Sequence, residues 1–139
     1  CVLEIPNTKL LSGTCYLISP YTKNPQKLFP LAVSATELLL QLGLDVFSPI
    51  IYGHTIVTMS NNNLIELEFW HSINNLFMEH CDAFAGVKCP ELTESEGCQA
   101  ELQQIQAKQL GKAYYVVDLA RRHVTAFTTP AEFIATLNM

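Results

Sequence analysis

The sequence predicts an α/β fold: a doubly wound, flavodoxin-like or Rossmann-like three-layer sandwich with a four- to five-stranded parallel sheet. Two observations predict it. Short apolar runs rich in β-branched and aromatic residues alternate along the chain with longer segments whose apolar residues recur every three or four positions. Prolines and glycines fall where those longer segments, read as helices, would start and stop. Strands alternating with helices pair in parallel through right-handed crossovers, and ligands of such sheets bind beyond the carboxyl ends of the strands.

Taken in order, residues 1–11 form a lead-in of ambiguous pattern, and residues 14–19 (TCYLIS) read as a buried strand ended by Pro20. Leu28, Leu31, Ala32, Ala35, Leu38, Leu39 and Leu42 then keep helical spacing, with Pro30 in the first turn and Gly43 as the stop. Residues 45–48 resume as a strand, and 49–63 read as a long connection holding Tyr52, Gly53 and His54. The asparagines at 61–63 offer an N-cap to a helix whose apolar stripe is Leu67, Trp70, Ile73 or Asn74, Phe77 and Cys81, a spacing that makes Trp70 a core residue. Asp82 heads a third strand, 83–88. A loop containing Cys89 and Pro90 leads to a helix over 94–110, with Leu102 and Ile105 inward and Gly111 as its stop. Residues 113–117 are a fourth strand and 123–127 a short fifth. Pro130 opens a terminal helix with Phe133, Ile134 and Leu137 on its apolar side.

Composition narrows the function. With 139 residues, 49% hydrophobic and 15% charged, the chain reads as one globular domain, 1–139, long enough for a real core. A net charge of −5 argues against binding a nucleic-acid polymer or an anionic membrane, since both select a basic face; a small molecule is the expected partner. No apolar run approaches the ~18 residues of a membrane span. Cys1, Cys15, Cys81, Cys89 and Cys98 are an odd set without a CxxC pair, which fits a reducing, cytoplasmic setting better than a disulfide framework. Cys81, Cys89, Cys98 and His80 match no common zinc spacing, so neither a metal nor a cofactor is expected. The absence of an initial methionine points to a trimmed chain.

Residues 82–101 (DAFAGVKCPELTESEGCQAE) concentrate the chemistry. Ser95-x-Gly97-x-x-x-Glu101 offers a hydroxyl, a backbone free of side chain and a carboxylate near one helix N-terminus, where anions are favoured. Thr93-x-x-Glu96 fits a capping box equally well, and Gly97 is then merely tolerated. Other strand ends converge on the same rim: Tyr16 to Tyr21, with Ser19 and Pro20, and Ser48 to His54. Asp82 also reads as a carboxylate capping the preceding helix end, and His54 as a solvent-facing loop residue.

Tyr16-Leu17-Ile18-Ser19-Pro20-Tyr21, Val46-Phe47-Ser48-Pro49-Ile50 followed by His54, Trp70, Asp82, and Ser95-x-Gly97-x-x-x-Glu101 together resemble the nucleoside 2-deoxyribosyltransferase superfamily over about residues 14–118. Within it, the chain is similar to a small uncharacterised branch and to the 2′-deoxynucleoside 5′-phosphate N-hydrolases. The resemblance implies cleavage of the N-glycosidic bond of a nucleoside or nucleotide. Glu101 would be the nucleophile forming a covalent glycosyl-enzyme, Tyr16 would orient it, and Asp82 would contact the base and help protonate the leaving nitrogen. Ser95 and Gly97 match a phosphate-contacting pair, and Ser19, Pro20, Ser48 and His54 would bind substrate. A carboxylate of ordinary pKa, ~4.3, is ionised at neutral pH and can collapse onto an oxocarbenium-like centre. Relatives complete each pocket from a neighbouring subunit, which implies a homo-oligomer, a dimer or larger.

Two departures from the pattern refine these expectations. Pro90-Glu91-Leu92 stands where the branch carries Pro-Gly-Trp, removing a platform for an incoming base and favouring hydrolysis over transfer. Lys23 and Lys27 are the only cations near the first strand's end, and Glu94 and Glu96 flank Ser95, so nucleoside and 5′-monophosphate both stay open. Residues 20–24 (PYTKN) make a poor flavodoxin phosphate loop, and the acidic pair of a phosphoacceptor receiver is missing. A non-catalytic nucleotide-binding module on this fold is the alternative, since a fold does not fix a function.

Overall fold

A computed structural model of the chain describes residues 2–3, 11–59 and 67–139. The strands are β1 (Val2–Leu3), β2 (Thr14–Ile18), β3 (Asp45–Phe47), β4 (Ala83–Val87), β5 (Ala113–Asp118) and β6 (His123–Phe127). They form one sheet in the order β1-β6-β5-β4-β2-β3. β3, β2, β4 and β5 run parallel, as expected. β6 is antiparallel to β5, and β1, from the lead-in, is antiparallel to β6. The reversal has a simple cause: Asp118 pairs with His123, so residues 119–122 alone join the two strands, whereas a parallel return needs a crossover of about a dozen residues.

The helices are α1 (Pro25–Gln41), α2 (Pro49–Met59), α3 (Leu67–His80), α4 (Pro90–Glu94), α5 (Glu96–Lys108) and α6 (Pro130–Leu137). α1 starts where Asn24 accepts the Lys27 N–H at 3.3 Å, with Pro25 in the first turn. Pro30 therefore lies inside the helix, on its exposed side, rather than in the first turn. The expected stripe holds: Leu28, Ala32, Ala35, Leu38, Leu39 and Leu42 are buried, and Gly43 at φ 108° ends the helix.

Residues 49–59 are a helix, not the long connection that the sequence predicted. Pro49 opens α2, and the Ser48 hydroxyl accepts the Ile51 N–H at 3.2 Å, as an N-cap does. None of its residues is buried, and its β-branched run (Ile50, Ile51, Thr55, Ile56, Val57, Thr58) carries no inward stripe by which periodicity could reveal a helix. The asparagines at 61–63 and the side chain of Leu67 lie outside the described residues. Among the described side chains of α3 the fully buried one is Met78, while Phe77 stacks on Phe47 with ring centroids 3.9 Å apart.

The helix expected over 94–110 is α5, and the expected loop with Cys89 and Pro90 before it holds the short helix α4. Ser95 takes an extended conformation after α4 and caps α5, its hydroxyl accepting the Cys98 N–H at 3.2 Å. Thr93 is no cap: its hydroxyl donates to the Pro90 carbonyl at 2.8 Å. α5 ends at Gln109 in the left-handed region, and Gly111 follows at φ 80°, where an added Cβ would lie 2.7 Å from the Phe84 ring.

Two apolar cores sandwich the sheet. Cys15 and Leu17 of β2 face one side with Leu38 and Leu39 of α1, and with Val87, Val117 and Val124. Tyr16 and Ile18 face the other, with Met78, Leu92, Cys98, Leu102, Ile105, Phe133 and Leu137 from α3 to α6. The chain is thus a three-layer α/β sandwich. No helix among the described residues is long and apolar enough to cross a membrane.

Candidate active site

Strand order reverses between β2 and β4: the connection after β2 goes to β3 on one side, and the chain then returns to β4 on the other. At such a switch point the connections leave in opposite directions and open a crevice above the carboxyl ends of the two strands. Ser19 and Pro20 end β2 there and are both buried. The Ser19 hydroxyl has no hydrogen-bond partner, although a buried polar atom nearly always has one.

Below this rim Tyr16, fully buried, reaches from the middle of β2 to α5, and its hydroxyl donates to Glu101 Oε2. Cys98, Leu102 and Ile105 give α5 its inward face, and Glu101 sits on that face by the same three- and four-residue spacing. A carboxylate thus occupies a position where the helix pattern calls for an apolar side chain. Burial pushes its pKa from the ordinary 4.5 up to about 7, and the Tyr16 hydrogen bond pulls the other way. Burial and the neighbouring carboxylate raise the Tyr16 phenol well above its usual range, so it remains a proton donor. Burial, with Glu101 adding to it, takes the Cys98 thiol up to about 12, so Cys98 is no competing nucleophile.

The remaining predicted residues, Asp82 apart, stand on elements that start or end at the same rim. Ser48 ends β3 and Ser95 starts α5; each hydroxyl accepts a backbone N–H, which leaves its proton free to donate. Gly97 has nothing within 4 Å of where a Cβ would be, so it faces open space. His54, on α2, bonds through Nδ1 to the Tyr21 hydroxyl at 2.5 Å and stacks on Phe29 at 3.8 Å, so it is a held imidazole rather than a loose loop residue.

Asp82 does not join them. It heads β4, which runs parallel to β2, so it lies at the amino end of the strands, about 17 Å of strand away from the carboxyl rim. Its carboxylate accepts the Thr14 backbone N–H and hydroxyl, both at 3.4 Å, and its N–H donates to Thr14 Oγ1 at 3.0 Å. Its work is to align the starts of β2 and β4, and the expected contact with a base is corrected accordingly. The same geometry separates Cys81 from Cys89, which flank β4 at opposite ends and cannot share a metal ion. Among the described residues no three metal-ligating side chains cluster.

Leu92 also departs from expectation. It is fully buried in the core with Cys98 and Leu102, so this position faces inward and presents no surface to a base. Aromatic rings run outward from the pair instead, and Trp70, read as a core residue, is only half-buried among them. Tyr16 meets Phe47 at 5.9 Å, Phe47 meets Tyr52 at 6.0 Å, and Tyr52 meets Trp70 edge-on at 6.0 Å. Phe47 lay in view within the Val46-Phe47-Ser48 segment; Tyr52 was hidden by reading α2 as a loop. The groove along the free edge of β3, lined by Leu40, Val46, Phe47, Phe77 and His80, includes Thr14 and Asp45 at the strands' amino ends and holds none of the predicted site residues.

Fold and site define a doubly wound α/β domain with a buried phenol–carboxylate pair beneath its switch-point rim. Residues 13–116, about three quarters of the chain, match the family described as a domain of unknown function (DUF1937), and the chain belongs to that family. The match spans β2 to β5 and so contains Tyr16 and Glu101. No curated protein and no solved structure matches the chain.

Proposed function

We propose that the protein cleaves the N-glycosidic bond of a (deoxy)nucleoside or nucleoside 5′-monophosphate through a covalent glycosyl-Glu101, with hydrolysis favoured. The observation that carries this reading is the bond from the Tyr16 hydroxyl to the Glu101 carboxylate beneath the rim where ligands of a doubly wound sheet bind. The resemblance of Tyr16, Ser19, Ser48, Ser95 and Glu101 to deoxyribosyltransferase motifs supports the same chemistry. One Glu101 oxygen is held by Tyr16, and the other attacks C1′ as the C1′–N bond breaks and the base leaves with that electron pair. The base nitrogen takes up a proton. With Asp82 at the far end, the imidazole of His54, held at this rim by Tyr21, is the group assigned to give it. Water then opens the glycosyl ester, releasing sugar or sugar phosphate and restoring the carboxylate.

Exposure of Glu96 and the open space at Gly97 let water reach the start of α5, which favours hydrolysis over capture by a second base. The reading takes the enzyme as a cytoplasmic homo-oligomer. In support, Cys15, Cys81, Cys89 and Cys98 are free thiols, and Tyr52, Ile56, Met59 and Leu76 leave apolar surface on α2 and α3. The test incubates a panel of 2′-deoxynucleosides and 5′-monophosphates with and without excess labelled base. Free base is expected, lost on Glu101→Ala; label mainly in new nucleoside would make the enzyme a transferase, and wild-type turnover in Glu101→Ala would end the nucleophile assignment.

A further inference from the structure

We infer that the site prefers a nucleoside monophosphate to the free nucleoside, and that Lys88 is the residue that reads the phosphate. The inference rests on the glycosidase reading and narrows its substrate class. By sequence only Lys23 and Lys27 stand near the end of β2; the sheet adds Lys88. Ile18 of β2 pairs with Gly86 of β4, so two residues on, at the carboxyl rim, Lys88 stands beside Pro20. The Lys88 N–H still donates to the Val117 carbonyl at 2.9 Å, which carries the β4 ladder and its alternation of faces one residue past the strand. Phe84 and Gly86 lie on the face of Tyr16: Phe84 packs with Tyr16, and an added Cβ at Gly86 would meet Leu137 of the same core. Lys88 therefore belongs to the face on which Tyr16 bonds Glu101.

Two properties set Lys88 apart. Every other lysine and arginine among the described residues is exposed, whereas Lys88 is half-buried. Its ammonium has no ion pair and no hydrogen bond among those residues, yet it is not sealed from solvent. A half-buried charge without a counter-charge is unfavourable, and an arriving anion removes that cost while gaining a charge-assisted hydrogen bond. Lys23 and Lys27 flank the entrance from the turn between β2 and α1. Their contacts, with Glu94 at 3.8 Å and Glu91 at 3.2 Å, are surface pairs whose lysines are exposed; such pairs hold a lysine weakly and leave it free to turn toward a phosphate. Glu94 and Glu96 are exposed, where solvent and salt screen them. With C1′ placed at Glu101, the anion that such a substrate brings is a phosphate on the 5′ or 3′ oxygen of its sugar.

The decisive experiment compares kcat/KM for a 2′-deoxynucleoside and its 5′- and 3′-monophosphates in the wild type, Lys88→Met and Lys88→Gln, which keep most of the stem and remove the charge. The wild type should favour one monophosphate over the nucleoside about tenfold or more, and the isomer favoured locates the phosphate. Either variant should cut that preference about tenfold. A wild type that favours the nucleoside or treats all three alike, or variants that retain the preference, overturn the inference and leave the glycosidase reading standing. Calorimetric binding of the same ligands to Glu101→Gln, with and without Lys88→Met, separates the inference from the reaction. A monophosphate bound over the nucleoside through Lys88, without wild-type turnover of any of the three, upholds the inference and sinks the glycosidase reading alone; the nucleoside bound as tightly, or no ligand bound, sinks the inference.

Discussion

Replacing Glu101 with Gln should stabilise the protein at alkaline pH and not at acid pH. In the folded chain burial raises the carboxyl from its ordinary 4.5 to about 7. Below about pH 4.5 it is protonated whether the chain is folded or not, and its titration contributes nothing to stability. Between 4.5 and 7 the unfolded chain has released the proton while the folded chain keeps it, so the unfolded state binds fewer protons and stability falls as pH rises. Above about 7 the loss is complete. The interval from 4.5 to about 7, at about 1.4 kcal/mol per pH unit, corresponds to at most about 3 kcal/mol. A neutral amide of the same shape escapes that penalty. At roughly 4 °C per kcal/mol for a chain of this size, Glu101→Gln should melt up to about 10 °C above the wild type at pH 8.5, with the gap closing toward pH 4.5. Thermal melts followed by circular dichroism across that range read it directly. A gap independent of pH, or a variant less stable than the wild type at pH 8.5, would refute the idea that the pocket holds this carboxylate against its own preference.

Three further outcomes follow from the geometry. Tyr16→Phe removes the hydrogen bond that favours the ionised form of Glu101, so the rise of activity with pH should move alkaline by on the order of one unit, with turnover recovering near pH 9; an unshifted profile would exclude Tyr16 from tuning the nucleophile. Asp82→Asn should cost about 1 kcal/mol of stability or less and leave relative turnover of different bases unchanged, whereas a loss of ~10²–10⁴ graded by leaving group would restore it as the acid. Gly111→Ala should cost at least about 1–3 kcal/mol in denaturant unfolding, because φ is 80° and Phe84 fills the space, with turnover per folded molecule preserved.

What the sequence shows is what periodicity encodes. The stripe of α1, the apolar runs of β2, β4 and β5 and the helix opened by Pro130 are dictated by burial, and each lies where expected. α2 buries no residue and so leaves no stripe to read, which is why Tyr52 and His54 looked like loop residues. The break at Ser95 is a choice between two local caps, and Thr93 and Ser95 both offer hydroxyls; geometry gives the cap to Ser95. Glu101 was singled out by its spacing from Ser95 and Gly97, and its place three residues after Cys98 and four before Ile105 puts it among the inward residues. Asp82 was misread for a topological reason. Its residue type fits an acid, but a residue that heads a parallel strand stands at the amino end, away from a rim defined by strand carboxyl ends.

Two side chains break the rules that the rest of the core obeys. Among the described residues Ser19 is the one whose buried side-chain oxygen lacks a partner, an arrangement that costs about 1–3 kcal/mol. Glu101 is a carboxylate turned toward the sheet on a face otherwise made of Cys98, Leu102 and Ile105. A phenol–carboxylate bond does not by itself explain why these residues are kept, since a buried polar pair is often replaceable by apolar side chains at no loss of stability. Glu101 reaches Tyr16 from α5 on one face of β2, whereas Ser19 follows Cys15 and Leu17, which face the other core. A carboxylate at an inward helix position is a departure from packing logic of the kind that functional sites carry.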